Sequence, residues 1–226
     1  LTYKTMRLSM EIELGTSRDS ARAALDSVIA TLDSARKVDG VDPARVGLAG
    51  AYAAYAATRL GEESLARQVL NAANDGNPTS HAPTRRQLDA ATRATMQADE
   101  SRRNQALAEL RDLEPDELTL IARRTLAESA WTADNSERAF EQLDRIATAP
   151  GRAVTEWNEG YMLQPGNVIL QRTASLRRAE MAKESGDESA VRAALERFKA
   201  SWPEGERLEA IASRLRSLQH EDQPTS

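Results

Sequence analysis

Arg59-Leu60-Gly61-Glu62-Glu63-Ser64-Leu65-Ala66, followed by Leu70, Ala73 and Pro78, is the stretch that decides the fold. It reads as the end of an alanine-rich helix, a glycine turn and the start of an amphipathic helix. A proline closes it 17 residues after the glycine. Near the other end of the chain, Ser185-Gly186-Asp187-Glu188-Ser189-Ala190-Val191, with Leu195, Phe198 and Pro203, repeats the pattern at the same Gly-to-Pro spacing. Helix-turn-helix units recurring at a period in the mid-thirties are the sequence signature of an α-solenoid, in which each pair buries its apolar face on its neighbours.

Working outward, two more units fit between these. One carries Ala91, Ala94 and Ala98 in its first helix, Leu107 and Leu110 in its second, and Pro115 at its end. The other carries Ala127 and Ala130, a turn at Asp134-Asn135, then Ala139, Leu143 and Ile146, closing at Pro150-Gly151. The units run over about 47–80, 84–117, 120–153 and 172–205. Together they resemble the tetratricopeptide repeat, which has small residues at its eighth and twentieth positions, a turn near the fifteenth and Pro at the thirty-second. Ala54, Ala91, Ala127 and Ala179 take the eighth position; Ala66, Arg103, Ala139 and Val191 take the twentieth. Arg103 departs from the pattern, which places the second unit in question of register, and the motif's aromatic-Leu-Gly core is degraded throughout. The resemblance covers roughly 60% of the chain. It implies an all-α, right-handed solenoid of antiparallel helix pairs, about four to five units plus a C-terminal capping helix.

Composition agrees. Aromatics make up only 4% of the 226 residues, and Ala, Leu, Arg and Glu are prominent, which favours helix. No Val/Ile/Thr-rich run alternates over strand length. The chain has no Cys, which removes disulfides, thiol catalysis and thiolate metal sites. Its net charge of −5 is concentrated in residues 114–226, which argues against a nucleic-acid footprint there. No apolar run approaches the roughly 18–20 residues of a membrane span. The start at Leu1 is no signal peptide and reads as a cut.

The organisation expected is a divergent N-terminal helix pair over 1–42, a repeat array over 43–220 and a disordered tail over 221–226. In the first part, a helix over about 3–14 ends at Gly15, and Ser17 caps a long helix reaching Val38. Asp42-Pro43 supplies the next cap and first helical residue. An insertion at about 152–171 interrupts the period and carries Trp157 and Tyr161. These either plug a gap between the third and fourth units or form a lip or dimer contact. Residues 205–219, with Leu208, Ile211, Ala212, Leu215 and Leu218 at helical spacing, read as the capping helix.

Catalytic, cofactor and metal motifs are not found. His81 and His220 stand alone, without a second ligand at metal spacing. No phosphate loop, nucleophile elbow or calcium loop occurs. The chain therefore does not read as an enzyme, and recognition is what remains. In the tetratricopeptide family the first helix of each unit lines a concave groove. Carrying the groove positions over places Tyr55, Arg59, Arg85, Arg124, Glu128 and Trp131 there as partner-binding residues. Arg and aromatic side chains are the types that most often anchor interfaces. The Lys-and-Asn carboxylate clamp of the family's chaperone-binding members has no counterpart here. Replacing Arg85 and Arg124 by Ala is accordingly expected to weaken an acidic partner and leave the melting temperature nearly unchanged.

Three functions follow from this reading. The first is a protein–protein interaction scaffold holding a peptide or helix segment in the groove. The second is a regulatory or sensory arm of a larger bacterial signalling or transcription protein, suggested by the missing Met and by 26 Arg against 4 Lys. The third is a homo-oligomerisation module. The expected partner is protein or peptide, not nucleic acid or membrane, and the default compartment is the cytoplasm.

Overall fold

The computed structural model describes residues 1–38, 40–74, 83–96, 99–156, 161–204 and 208–219. Within them it is all-helical, with no strand. The helices are α1 (Thr2–Leu14), α2 (Arg18–Ala35), α3 (Pro43–Arg59), α4 (Glu63–Asn74), α5 (Pro83–Thr95), α6 (Glu100–Arg111), α7 (Leu120–Thr132), α8 (Ser136–Ala147), α9 (Pro150–Thr155), α10 (Gln164–Glu184), α11 (Glu188–Ser201) and α12 (Glu209–Gln219). They pack as consecutive pairs: α1 on α2, α3 on α4, α5 on α6, α7 on α8 and α10 on α11, with α12 against α10.

Local chemistry sets the turns. After α3, α7 and α10 the chain enters the left-handed region at Gly61 (φ 77°), Asp134 (φ 54°) and Gly186 (φ 74°). Each turn is closed by the same two hydrogen bonds. Glu62, Asn135 and Asp187 N–H donate to Ala57, Ala130 and Ala182 C=O, all at 2.9 Å. The preceding N–H groups donate to Thr58, Trp131 and Lys183 C=O, all at 3.0 Å. These are Schellman closures, satisfying carbonyls that a helix end leaves without partners. The following helix is capped at once where Asn135 accepts from Arg138 N–H and Asp187 from Ala190 N–H. Ser17 and Asp42 cap α2 and α3 as expected.

Packing follows the alanines. Ala54, Ala91, Ala127, Ala179, Ala66 and Ala139 are completely buried, so paired helices approach closely along these faces. In α6 the partly exposed Arg103 turns towards Glu100 at 3.7 Å, and Ala106, three residues on, is the fully buried small residue. One helical turn of offset thus accounts for the departure at Arg103.

Within the span read as an insertion, 152–171, α9 covers the start and α10 begins at Gln164. Tyr161 lies exposed, with φ 59°. Trp157, both histidines, Pro78, Ala98 and the 221–226 tail lie outside the described residues. The residues read as a capping helix form α12, whose Ile211, Leu215 and Leu218 belong to one core cluster with Phe198 and Trp202, while Leu208 is exposed.

The first helices of the pairs, α1, α3, α5, α7 and α10, pack successively, and α10 returns to α1. The crossing is close: Gly166 lies so near Ser9 that a Cβ there would sit 2.7 Å from Ser9 Cβ and 3.1 Å from Ser9 O. Leu8 and Ile12 of α1 join Tyr52, Tyr55, Ile121, Leu143 and Leu170 in one core. This places α1 against α3 and α10.

Candidate functional site

The six residues expected to line a groove separate into three places. Arg85 is buried against α3 and α4, where its guanidinium donates to Ala73 O at 2.8 Å. Gly47 makes room for it, since a Cβ at that position would strike the guanidinium. Trp131 stacks on Phe140 with ring centroids 5.9 Å apart, and its indole N–H donates to Glu184 Oε2 at 2.9 Å. Tyr55, Arg59, Arg124 and Glu128 come together, but beneath α1 and not in an open groove: Tyr55 is fully buried and the Arg124 side chain only 13% exposed. This burial argues against the expectation that replacing Arg85 and Arg124 by Ala leaves the melting temperature nearly unchanged.

The cluster is built from helix spacing. Tyr52, Tyr55 and Arg59 share one face of α3, as Arg124 and Glu128 share one face of α7. Arg124 Nε donates to Glu128 Oε1 at 3.2 Å, and its NH1 pairs with Glu13 of α1. Arg59 pairs with the other Glu128 oxygen. Further out, Glu180 of α10 accepts from Arg214 Nε of α12 at 2.7 Å and from Arg177 NH1 at 3.2 Å. Opposite charges from five helices therefore meet at the interior.

The electrostatics sort these groups. Burial opposes the charge of Glu128, but Arg59 and Arg124 outweigh it and hold its pKa down at about 2. Glu13 moves the other way. Burial raises its pKa despite Arg124 and Arg59, since its side chain is only 3% exposed. Burial likewise pushes the Tyr55 phenol up to about 12 and that of Tyr52 well above its ordinary value. Glu13 Oε1 and both tyrosine hydroxyls are buried without a hydrogen-bond partner among the described residues. Unsatisfied polar atoms of this kind cost stability, and their convergence marks the cluster as unusual.

Glu13, Arg18, Arg177 and Arg214 were not among the sequence candidates. One signal existed: Glu13 follows Thr5, Leu8, Ser9 and Ile12 on the buried stripe of α1, where a carboxylate must find a cation. The others carry no such mark.

Two sizeable cavities adjoin the cluster. A cleft of about 590 Å³ opens between α3, α5, α6 and α7, lined by Thr58, Thr95, Thr125, Ser129 and Thr132 and by Arg103, Asn104 and Arg111. A second, of about 450 Å³, lies where α1, α2, α3, α7, α10 and α12 converge. Arg59 borders both. Among the described residues no group of three or more metal-ligating side chains is gathered for an ion, and no helix is long and apolar enough to cross a membrane.

No protein-family model, curated protein or solved structure matches this chain.

Proposed function

We propose that this chain is a divergent tetratricopeptide-like interaction module, a right-handed superhelix of helix pairs that holds an extended acidic peptide in the 590 Å³ cleft. The repeat reading is supported by the buried alanines at the motif's small positions and by three turns closed with identical hydrogen bonds. The cleft lining carries the functional reading. Thr58, Thr95 and Thr132 stand at corresponding ends of three successive first helices, and Thr95 donates to Thr58 at 2.8 Å. Their hydroxyl hydrogens are committed to the protein, Thr58 to Tyr55 O and Thr132 to Glu128 O, which leaves oxygens for the N–H groups of a ligand. Across the cleft, Arg103 and Arg111 supply positive charge for carboxylates, while Arg59 and Glu128 neutralise each other.

Panning a displayed random-peptide library on the folded protein tests this. Enriched peptides should be rich in Asp and Glu, and Arg103→Glu/Arg111→Glu should abolish their capture without altering the circular dichroism. Enrichment without acidic bias, or capture indifferent to the double variant, rules the cleft out.

A further inference from the structure

The 450 Å³ cavity is chemically different from the cleft. Arginines converge on it from five helices: Arg18 from α2, Arg59 from α3, Arg124 from α7, Arg177 from α10 and Arg214 from α12. Its size falls within the range of pockets that take small molecules, commonly about 300–1,000 Å³. We propose that this cavity binds a small ligand carrying two or more oxyanion groups, phosphate or carboxylate, gripped by these guanidinium forks.

Three observations support the assignment. First, the guanidinium donors are only partly used. Arg18 bonds only to the Leu60 carbonyl at 2.9 Å and has no carboxylate partner among the described residues. Arg214 spends Nε on Glu180, and Arg177 spends NH1 on Glu180 and on Glu184 at 3.6 Å, which uses only part of each five-donor fork on residues that line the cavity. Secondly, the floor is preorganised. Arg59 and Arg124 are held in place by Glu128 and Glu13, so they present fixed positive groups without an ordering cost on binding. Thirdly, Glu13 is a nearly fully buried side chain lining the cavity, and one of its oxygens lacks a partner among the described residues. A protonated oxyanion or ligand hydroxyl would satisfy it. Planar guanidinium forks match phosphate and carboxylate geometry, which an uncharged ligand would not exploit.

The walls come from both ends of the described chain, α1 and α2 on one side and α12 on the other, joined by α3, α7 and α10. A ligand bridging them binds only the folded state and raises the melting temperature with its concentration.

Calorimetric titration with inorganic pyrophosphate and with citrate, in a buffer free of other polyanions, tests the proposal. One or both should bind saturably at one site. Arg18→Gln/Arg214→Gln should weaken that binding at least about tenfold, as expected for losing charged hydrogen bonds. Arg145→Gln, which alters a surface arginine paired with Glu141, should leave it unchanged. If the double variant loosens α12, Arg18→Gln alone, on an exposed side chain, still lowers the affinity. Preference for pyrophosphate assigns a phosphate-bearing ligand, and preference for citrate a polycarboxylate. Absence of binding by both at millimolar concentration overturns the assignment. Weakening by Arg145→Gln equal to that of the double variant, or indifference to the double variant, does so as well. Arg103 and Arg111 do not line this cavity, so failure here leaves the peptide cleft untouched, and the converse.

Discussion

Two Pro-Gly steps open helices in this chain, Pro150-Gly151 in α9 and Pro165-Gly166 in α10, and the same substitution should have opposite effects at them. Replacing a helical glycine by alanine removes backbone freedom from the unfolded chain and is worth about 0.5–1 kcal/mol of stability where the side chain fits. A Cβ on Gly151 meets nothing within 4 Å, so Gly151→Ala should gain part of that. A Cβ on Gly166 would lie 2.7 Å from Ser9 Cβ, 2.8 Å from Ser9 Oγ and 3.1 Å from Ser9 O. Carbon atoms sit comfortably at roughly 3.5–4.0 Å, so α1 and α10 would have to separate by about 1 Å. The obstacle includes backbone on a buried helix and cannot swing aside. Overpacking of this kind costs about 1–3 kcal/mol. Net of the glycine term, Gly166→Ala should destabilise by about 1–2 kcal/mol. Urea denaturation followed by circular dichroism gives both values. Ser9→Gly removes the obstructing side chain. In the double variant the loss should therefore be smaller than the sum of the single losses by more than the roughly 0.3–0.5 kcal/mol scatter of independent sites. Stabilisation by Gly166→Ala, or additivity with Ser9→Gly, would refute the α1–α10 contact.

Arg124→Met should destabilise strongly, by about 3–5 kcal/mol, because it leaves the buried Glu13 carboxylate without its cation. Adding Glu13→Gln should recover part of the loss, and a thermal melt of Arg124→Met within a degree of wild type would sink the buried-pair reading. Glu156 tests pH dependence. It accepts from Leu120 N–H at 3.0 Å and Asn167 Nδ2 at 3.2 Å, yet burial outweighs these donors and raises its pKa to about 7 from 4.5. Below pH 4.5 both folded and unfolded chains hold this proton and its contribution to stability is complete. Between 4.5 and about 7 only the folded chain holds it, so stability falls as pH rises, by on the order of 3 kcal/mol. Glu156→Gln is neutral throughout, so the stability difference between variant and wild type should shift in the variant's favour from pH 4.5 to pH 8. Parallel pH profiles would contradict it.

What the sequence made legible is what local chemistry encodes. Gly61 and Gly186 mark turns because a left-handed backbone position favours glycine, and Ser17, Asp42 and Asp187 mark helix starts because their oxygens accept from the first turn. The alanines at matched positions mark close helix faces. The return of α10 to α1 had no such signal. Gly166 meets Ser9 across more than a hundred residues, and nothing near either position advertises the other. That contact is what displaced the expected groove. Transferring groove positions from the repeat motif assumes an open inner face, but Leu8, Ile12 and Glu13 of α1 lie over it. Tyr55 and Arg124 consequently became core and ion pair. Arg103 was misplaced for a simpler reason, a three-residue offset that hands the buried position to Ala106.

The buried charges also explain how two neighbouring cavities keep separate chemistry. Arg59 borders both, and its pairing with Glu128, itself held ionised by Arg59 and Arg124, makes that pair part of the partition between them. On the cleft side, Glu128 and the threonine oxygens offer acceptors, and only Arg103 and Arg111 at the rim add positive charge not committed to a buried partner. On the other side, Glu128 is not part of the lining, and Arg59 and Arg124 border the cavity beside Arg18, Arg177 and Arg214, with Glu11, Glu13 and Glu180 among them. Removing one member of the partition would expose an uncompensated charge to both spaces at once. Changes at Arg59 or Glu128 therefore should disturb peptide and anion binding together, whereas changes at the rims, Arg103 and Arg111 or Arg18 and Arg214, should separate them.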